Sequence, residues 1–212
     1  ETKSQIANNL RIVKALGHAV PVHIEPQIFF SEKDLAAARN LLASSYDPNR
    51  PLAVLVTQTS PTQRKSWRAE RFAAAAQHLV DKHNAQIVLV GTAAERSAID
   101  EFRQQFSGEV WNLAGKTNLL QLAALLSLCD VGLTLDTGTM HVGRAVGLPM
   151  VIIAPAWSPP LEWLPVDNPR YPILKNLTIE VAPPDYIIDE VSVDEVVSTL
   201  DDLIQRYPFQ PR

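Results

Sequence analysis

Asp136-Thr137-Gly138-Thr139-Met140-His141 decides how this chain is read, because of what flanks it. An apolar run over 129–135 leads into it. A helix-compatible segment over 140–146 follows, and Gly147-Leu148-Pro149 opens a second apolar run over 150–154. The order is strand, tight glycine-bearing turn, helix, strand. In such a unit the turn lies at the carboxyl edge of a parallel sheet, and the helix start offers unpaired N–H groups and the positive end of its dipole. An anion, most often a phosphate, suits that position. Taken alone, the turn is explained equally well if Asp136 or Thr137 merely caps the helix.

Outward from this unit, strand and helix alternate. Ile6, Leu10, Val13 and Leu16 predict a helix over 4–16, ended by Gly17. Ser31 caps a helix predicted over 32–42, and Pro48 to Pro51 turn the chain into the first clear strand, 52–57. The pattern then predicts a helix at 69–82, a strand at 86–90, a helix at 94–106, a strand at 110–113 and a helix at 119–128. The proline-rich passage 155–184 reads as extended connection with one or two edge strands. Ser192-Val193-Asp194-Glu195 is a capping box opening a final helix whose apolar face is Val196, Val197, Leu200 and Leu203. Strands separated by helices of this length predict an α/β domain, a Rossmann-like parallel sheet with helices on both faces. The domain is expected over 51–212, with 1–50 as a helical and linker segment.

Composition narrows the classes. At 212 residues, 46% hydrophobic and 20% charged, the chain is long enough for one large domain or two small ones. A formal charge of −4 makes no case for nucleic acid or an acidic membrane surface as partner. The single cysteine, Cys129, cannot form an internal disulfide and suits a reducing compartment. No apolar run reaches the ~18–20 residues of a membrane span, and no signal peptide is visible. A helical pattern already under way near Glu1, without Met, gives the expectation of a longer protein.

Three further turns share the predicted sheet edge. The segment 58–67 carries hydroxyls and basic groups, among them Thr59, Ser60 and Lys65, which can hold phosphate oxygens by charge-assisted hydrogen bonds or simply form a solvated loop beside Trp67. Gly91-Thr92-Ala93-Ala94-Glu95 places a carboxylate where it can accept from ribose hydroxyls or serve as a first-turn charge. Ala114-Gly115-Lys116-Thr117-Asn118 is a polar turn before an apolar helix. Each is a weak signal. Four together along one edge favour a phosphorylated ligand.

The motif at 136–141, the downstream Gly147-Leu148-Pro149 and Trp163-Leu164-Pro165 resemble the C-terminal half of family-nine glycosyltransferases, the bacterial ADP-heptose:lipopolysaccharide heptosyltransferases and their relatives. The resemblance extends to Lys65-Ser66-Trp67 with Phe72, to Val88-Leu89-Val90-Gly91 with Glu95, and to Asn112-Leu113-Ala114-Gly115-Lys116-Thr117 with Leu119, Leu122 and Leu125. It is close over 51–165. It implies one half of a GT-B fold, the half that binds a nucleotide-sugar donor. Thr59, Ser60 and Lys65 would hold the diphosphate, with one extra residue in their loop. Glu95 would bind ribose, the backbone around Thr117 would meet the base, Asp136 would contact the sugar, and Thr137 and Gly138 would sit at the phosphates. His141 would lie either near the donor or packed beneath the loop.

The resemblance further implies transfer of a sugar, heptose from ADP-heptose, with inversion to a glycolipid or glycan acceptor such as the lipopolysaccharide core. No metal or resident cofactor is implied. The catalytic base and the acceptor site belong to an N-terminal domain outside this chain, so the chain alone should bind without turnover. The implied place is the cytoplasm, at the inner face of the bacterial inner membrane through peripheral association. Three departures from the family pattern stand near the expected donor site: Arg144 for a small alanine, Ala154-Pro155-Ala156-Trp157 for an aromatic-Gly-Pro-Thr segment, and Arg68 where proline is common.

Two other classes share parts of this pattern. One is a non-catalytic nucleotide-binding or interaction domain of the same descent. The other is an aspartic protease, since Asp136-Thr137-Gly138 fits that local tripeptide; but that chemistry needs two carboxylates sharing a proton across a β-rich pair of lobes. A nicotinamide-binding domain is disfavoured because no G-x-G-x-x-G follows the first strand.

Overall fold

Leu52–Val56 (β1), with all five residues buried, is the strand around which the rest is laid. The computed structural model describes residues 5–21, 24–42, 45–59, 65–157, 163–166, 168–176 and 181–209. Helices α1 (Gln5–Ala15) and α2 (Glu32–Leu42) precede β1. After it come α3 (Ala69–His83), β2 (Gln86–Leu89), a 3-10 turn at Ala93–Glu95, α4 (Arg96–Gln105) and β3 (Val110–Asn112). The chain continues through α5 (Leu119–Ser127), β4 (Val131–Leu135), α6 (Gly138–Ala145), β5 (Met150–Ile153), β6 (Ile173–Leu174) and α7 (Val193–Arg206). The strands form one parallel sheet of six in the order β3-β2-β1-β4-β5-β6.

The alternation of side chains along each strand divides the core into two layers. Ala53 and Leu55 of β1, Ile87 and Leu89 of β2, and Leu133 and Leu135 of β4 meet Phe72 and Leu79 of α3, Phe102 of α4 and Leu200 of α7. Leu52, Val54 and Val56, with Val88 and Ile152, meet Ala38 and Leu42 of α2, Leu125 and Leu126 of α5, and Met140 of α6. Because helices cover both faces, every residue of β1, β2, β4 and β5 is buried, as a continuous apolar run in a parallel strand requires. Residues 32–42, which the sequence assigns to the leading segment, thus pack on the sheet's own core.

Local signals set the element ends. Ser31 and Asp34 cap α2 reciprocally, and Ser192 Oγ accepts the Glu195 N–H at the start of α7. Asn118 and Gln121 exchange side chain-to-backbone bonds at the start of α5. Of the two caps considered for α6, Thr137 serves: its Oγ1 accepts from Met140 N–H, so the helix begins at Gly138 rather than at 140. Among its described residues, the proline-rich passage supplies one two-residue edge strand, β6.

The turns after β2 and β3 are welded together at Gly115. It adopts φ +70°, and its N–H donates to the Gly91 carbonyl at 2.9 Å. A Cβ there would lie 2.7 Å from Ala93 Cα. Gly115→Ala therefore combines left-handed strain with a backbone clash, and is expected to cost about 2 kcal/mol or more in urea unfolding. A cost below about 0.5 kcal/mol would mean that the two turns are not held by this contact.

Candidate functional site

The sheet reverses its order at β1: β2 and β3 lie on one side, β4 and β5 on the other. The helices leaving β1 and β4 therefore fall on opposite faces, and their diverging starts leave a crevice at the carboxyl ends of the strands. A cavity of about 590 Å³ occupies this position. All four turns singled out from the sequence reach it, through Thr59, Glu95, Thr117, and Thr137 with Gly138. Of the other expected residues, Ser60 lies outside the described residues, Lys65 and Asp136 stand together as a pair, and His141 lines a different cavity.

The α6 start gives the cavity its anion-receptive wall. Met140 N–H is satisfied by Thr137, which leaves the first N–H groups, at Gly138 and Thr139, where both residues line the cavity. A Cβ on Gly138 would meet nothing within 4 Å, so this glycine is not required by packing and its bare backbone opens onto free space. Across the cavity Glu95 Oε2 accepts the Thr92 N–H at 2.7 Å, which holds the carboxylate on the lining. Leu119, 59% exposed despite its size, and Leu122 supply an apolar wall. Sequence reasoning did not assign these leucines a site role: an apolar residue in an amphipathic helix reads as core, and only the exposure of Leu119 marks it.

Lys65 Nζ and Asp136 Oδ2 are 2.6 Å apart, with 14% and 13% of the side chains exposed. The pair bridges the carboxyl ends of β1 and β4, the two strands of the order reversal. Lys65 also lies 5.8 Å from the centre of the Trp157 ring, so one of the family departures touches the site. The other two point elsewhere. Arg68 makes two 2.6 Å bonds to the Asp189 carboxylate, tying the start of α3 to the chain before α7. Arg144 Nε donates to Glu25 Oε2 at 2.6 Å, and Asn168 holds the other oxygen of that carboxylate.

Arg144 lines a second cavity of about 440 Å³ together with His141, Trp163 and residues of α1. Burial pushes the His141 imidazole below its ordinary range; Asp136 opposes this, while Arg144 and Lys65 add to it. The ring is thus neutral at pH 7 and contributes no positive charge to anion binding.

These features define an open, doubly wound α/β domain with an anion-receptive crevice at its switch point. The chain belongs to the family described as glycosyltransferase family 9 (heptosyltransferase), which it matches over residues 5–170. Lipopolysaccharide heptosyltransferase 2 of Escherichia coli (strain K12) is 31% identical over 145 residues, covering 65% of this chain and 41% of that protein. Among solved structures, the glycosyl transferase family 9 protein from Veillonella parvula superposes with a TM-score of 0.85 at 20% identity, over 97% of this chain and 61% of its own. The E. coli ADP-heptose lps heptosyltransferase II superposes with a TM-score of 0.74 at 25% identity, over 91% of this chain and 57% of its own. The chain therefore spans about two-fifths of the curated relative's length, and its α/β fold is that of GT-B glycosyltransferases. No helix among the described residues is long and apolar enough to cross a membrane.

The Lys65–Asp136 pair makes a prediction for the ligand-free chain. Lys65→Met and Asp136→Asn should each lower stability by about 1–3 kcal/mol, since each leaves a mostly buried charge without its partner. The double variant should cost less than the sum, with a coupling of about 1 kcal/mol or more in urea unfolding. Additive losses would mean that the pair is not formed in solution.

Proposed function

We propose that this chain is the donor-binding half of a heptosyltransferase. The donor is ADP-heptose, and the sugar passes with inversion to a lipopolysaccharide-core or related glycan acceptor. The observation that carries the proposal is the convergence of four polar turns on one cavity at the switch point, in a chain of family nine. The E. coli relative, described by its donor as an ADP-heptose enzyme, supports the choice of nucleotide. The acceptor and the base that deprotonates its hydroxyl belong to an N-terminal domain, to which the leading segment 1–50 joins the donor domain, its helix α2 already packing on the donor domain's core. The whole enzyme works in the cytoplasm against the inner face of the inner membrane, without a membrane-spanning helix of its own in this part.

In this reading the adenine lies against Leu119 and Leu122 near Thr117, and the ribose hydroxyls donate to Glu95 Oε1, the oxygen not engaged by Thr92. The diphosphate takes the N–H groups of Gly138 and Thr139, with Thr59 and Ser60 as hydroxyl donors. Transfer leaves negative charge on the departing diphosphate, and positive charge develops on the sugar carbon. A helix start and a lysine fixed in advance stabilise the first without reorganising as the reaction proceeds. Lys65 exchanges Asp136 for a phosphate when the donor binds, and Asp136 is thereby released to accept from sugar hydroxyls. His141, neutral and on the second cavity, packs beneath the motif.

Calorimetric titration tests the proposal. The chain is expected to bind ADP more tightly than UDP or GDP, and Lys65→Ala should weaken ADP by about tenfold or more, the worth of one charge-assisted contact. Gly138→Ala should weaken ADP by a similar factor while leaving the melting temperature equal or higher, because the new methyl meets only the ligand's space. Absence of binding by all three nucleotides at about millimolar concentration would overturn the donor-site reading.

Asp136→Asn separates sugar recognition from nucleotide recognition. ADP affinity should hold or rise, since Lys65 no longer has to leave a carboxylate, whereas affinity for an intact ADP-sugar should fall by about tenfold relative to ADP, since the lost charge faces the sugar. An unchanged affinity for the ADP-sugar relative to ADP would reduce Asp136 to a partner of Lys65.

A further inference from the structure

The seam between α3 and α7 carries a side-chain cluster that the switch-point cavity does not use. His78 and His83 of α3 direct their Nε2 atoms at a single oxygen, Oδ1 of Asp201 on α7, at 2.9 and 2.6 Å. The other oxygen, Oδ2, accepts from Lys82 Nζ at 2.7 Å. The ligating atoms of His78, His83 and Asp201 all lie within 4.8 Å of one another. We propose that His78, His83 and Asp201 form a binding site for a divalent transition-metal ion of the zinc class, which fastens the last helix to α3.

The donor set selects the ion. Two imidazoles and one carboxylate suit zinc, cobalt or nickel rather than magnesium or calcium, which take mainly oxygen ligands. Three protein ligands leave a fourth position to water. With side chains 26%, 17% and 22% exposed, the site has a path to solvent.

The placement of the ligands is also specific. Histidines five residues apart on a helix are separated by about 140°, so they cannot chelate an ion on one face as an i, i+4 pair does. They converge only because Asp201 enters between them from the neighbouring helix. Lys82, bonded to Oδ2, fixes the carboxylate plane and leaves Oδ1 aimed at the imidazoles, the role that outer hydrogen bonds play for metal-ligating carboxylates.

The cluster stands apart from the donor cavity. The α3 helix starts at the cavity edge and ends at the opposite edge of the sheet, where β2 begins, so His83 is about 20 Å from Ala69 along the helix. Val196, Leu200 and Leu203 of α7 cover one core layer, and an ion bonded to both helices would add stability without entering the transfer chemistry.

The test uses the chain free of any affinity tag and stripped of metal with a chelator. Titration with zinc chloride should give one equivalent bound, with a rise of several degrees in melting temperature at saturation. Cobalt should bind at the same stoichiometry and show the visible absorption of a low-symmetry, four-coordinate ion. His78→Gln and His83→Gln, which keep an N–H donor for Asp201 and so preserve the metal-free fold, should each weaken zinc by at least about tenfold. No binding of zinc or cobalt at about 100 μM would overturn the proposal. So would binding that both glutamine variants leave unchanged, since the ion would then sit on other groups.

Discussion

The parallel sheet can grow in two directions from β1, and the site depends on its doing so. Chain connections between parallel strands are right-handed, so growth toward β3 puts α3 and α4 on one face, and growth toward β5 puts α5 and α6 on the other. Among the described residues no helix crosses the carboxyl edge between β1 and β4, and the turns on either side are free to face one another. The polar turn residues can therefore stand unpacked above a core in which every residue of the four inner strands is buried.

That geometry also explains the pairing of Lys65 with Asp136. A lysine and an aspartate brought to adjacent strand ends and mostly withdrawn from water would each cost desolvation energy alone. Together they satisfy one another, at the point where a phosphate and a sugar would meet in the proposed donor complex. The pair keeps each group in place until a ligand offers both a replacement partner. Thr137 makes this arrangement available: by capping α6 itself, it spares Asp136 from that task.

Much of this was legible in the chain because the signals are local. The strands announce themselves as continuous apolar runs, α2 and α7 by serine caps, and α3 by an apolar stripe that holds Phe72 and Leu79. Part of the family resemblance rested on turns that line the cavity, through Glu95, Thr117 and Thr137 with Gly138, whereas Trp163-Leu164-Pro165 lines the other cavity. What was not legible depends on residues far apart in sequence. Lys65 and Asp136 are separated by 71 positions, and Arg144 and Glu25 by 119. Ile173–Leu174 is a strand only because Ile152 and Ile153 lie beside it. Either Asp136 or Thr137 could cap α6 by sequence, and only the fold decides between them. His141, five residues beyond Asp136, falls on another cavity because a helix turns its side chains away within a turn.

A crystal structure of the chain with ADP will show whether the crevice between β1 and β4 receives the diphosphate of the donor. The expected structure has phosphate oxygens within hydrogen-bond distance of the Gly138 and Thr139 N–H groups, with Lys65 moved from Asp136 onto a phosphate. ADP lodged instead in the cavity beside Arg144 and Trp163, or bound while the Lys65–Asp136 pair stays intact, would contradict it.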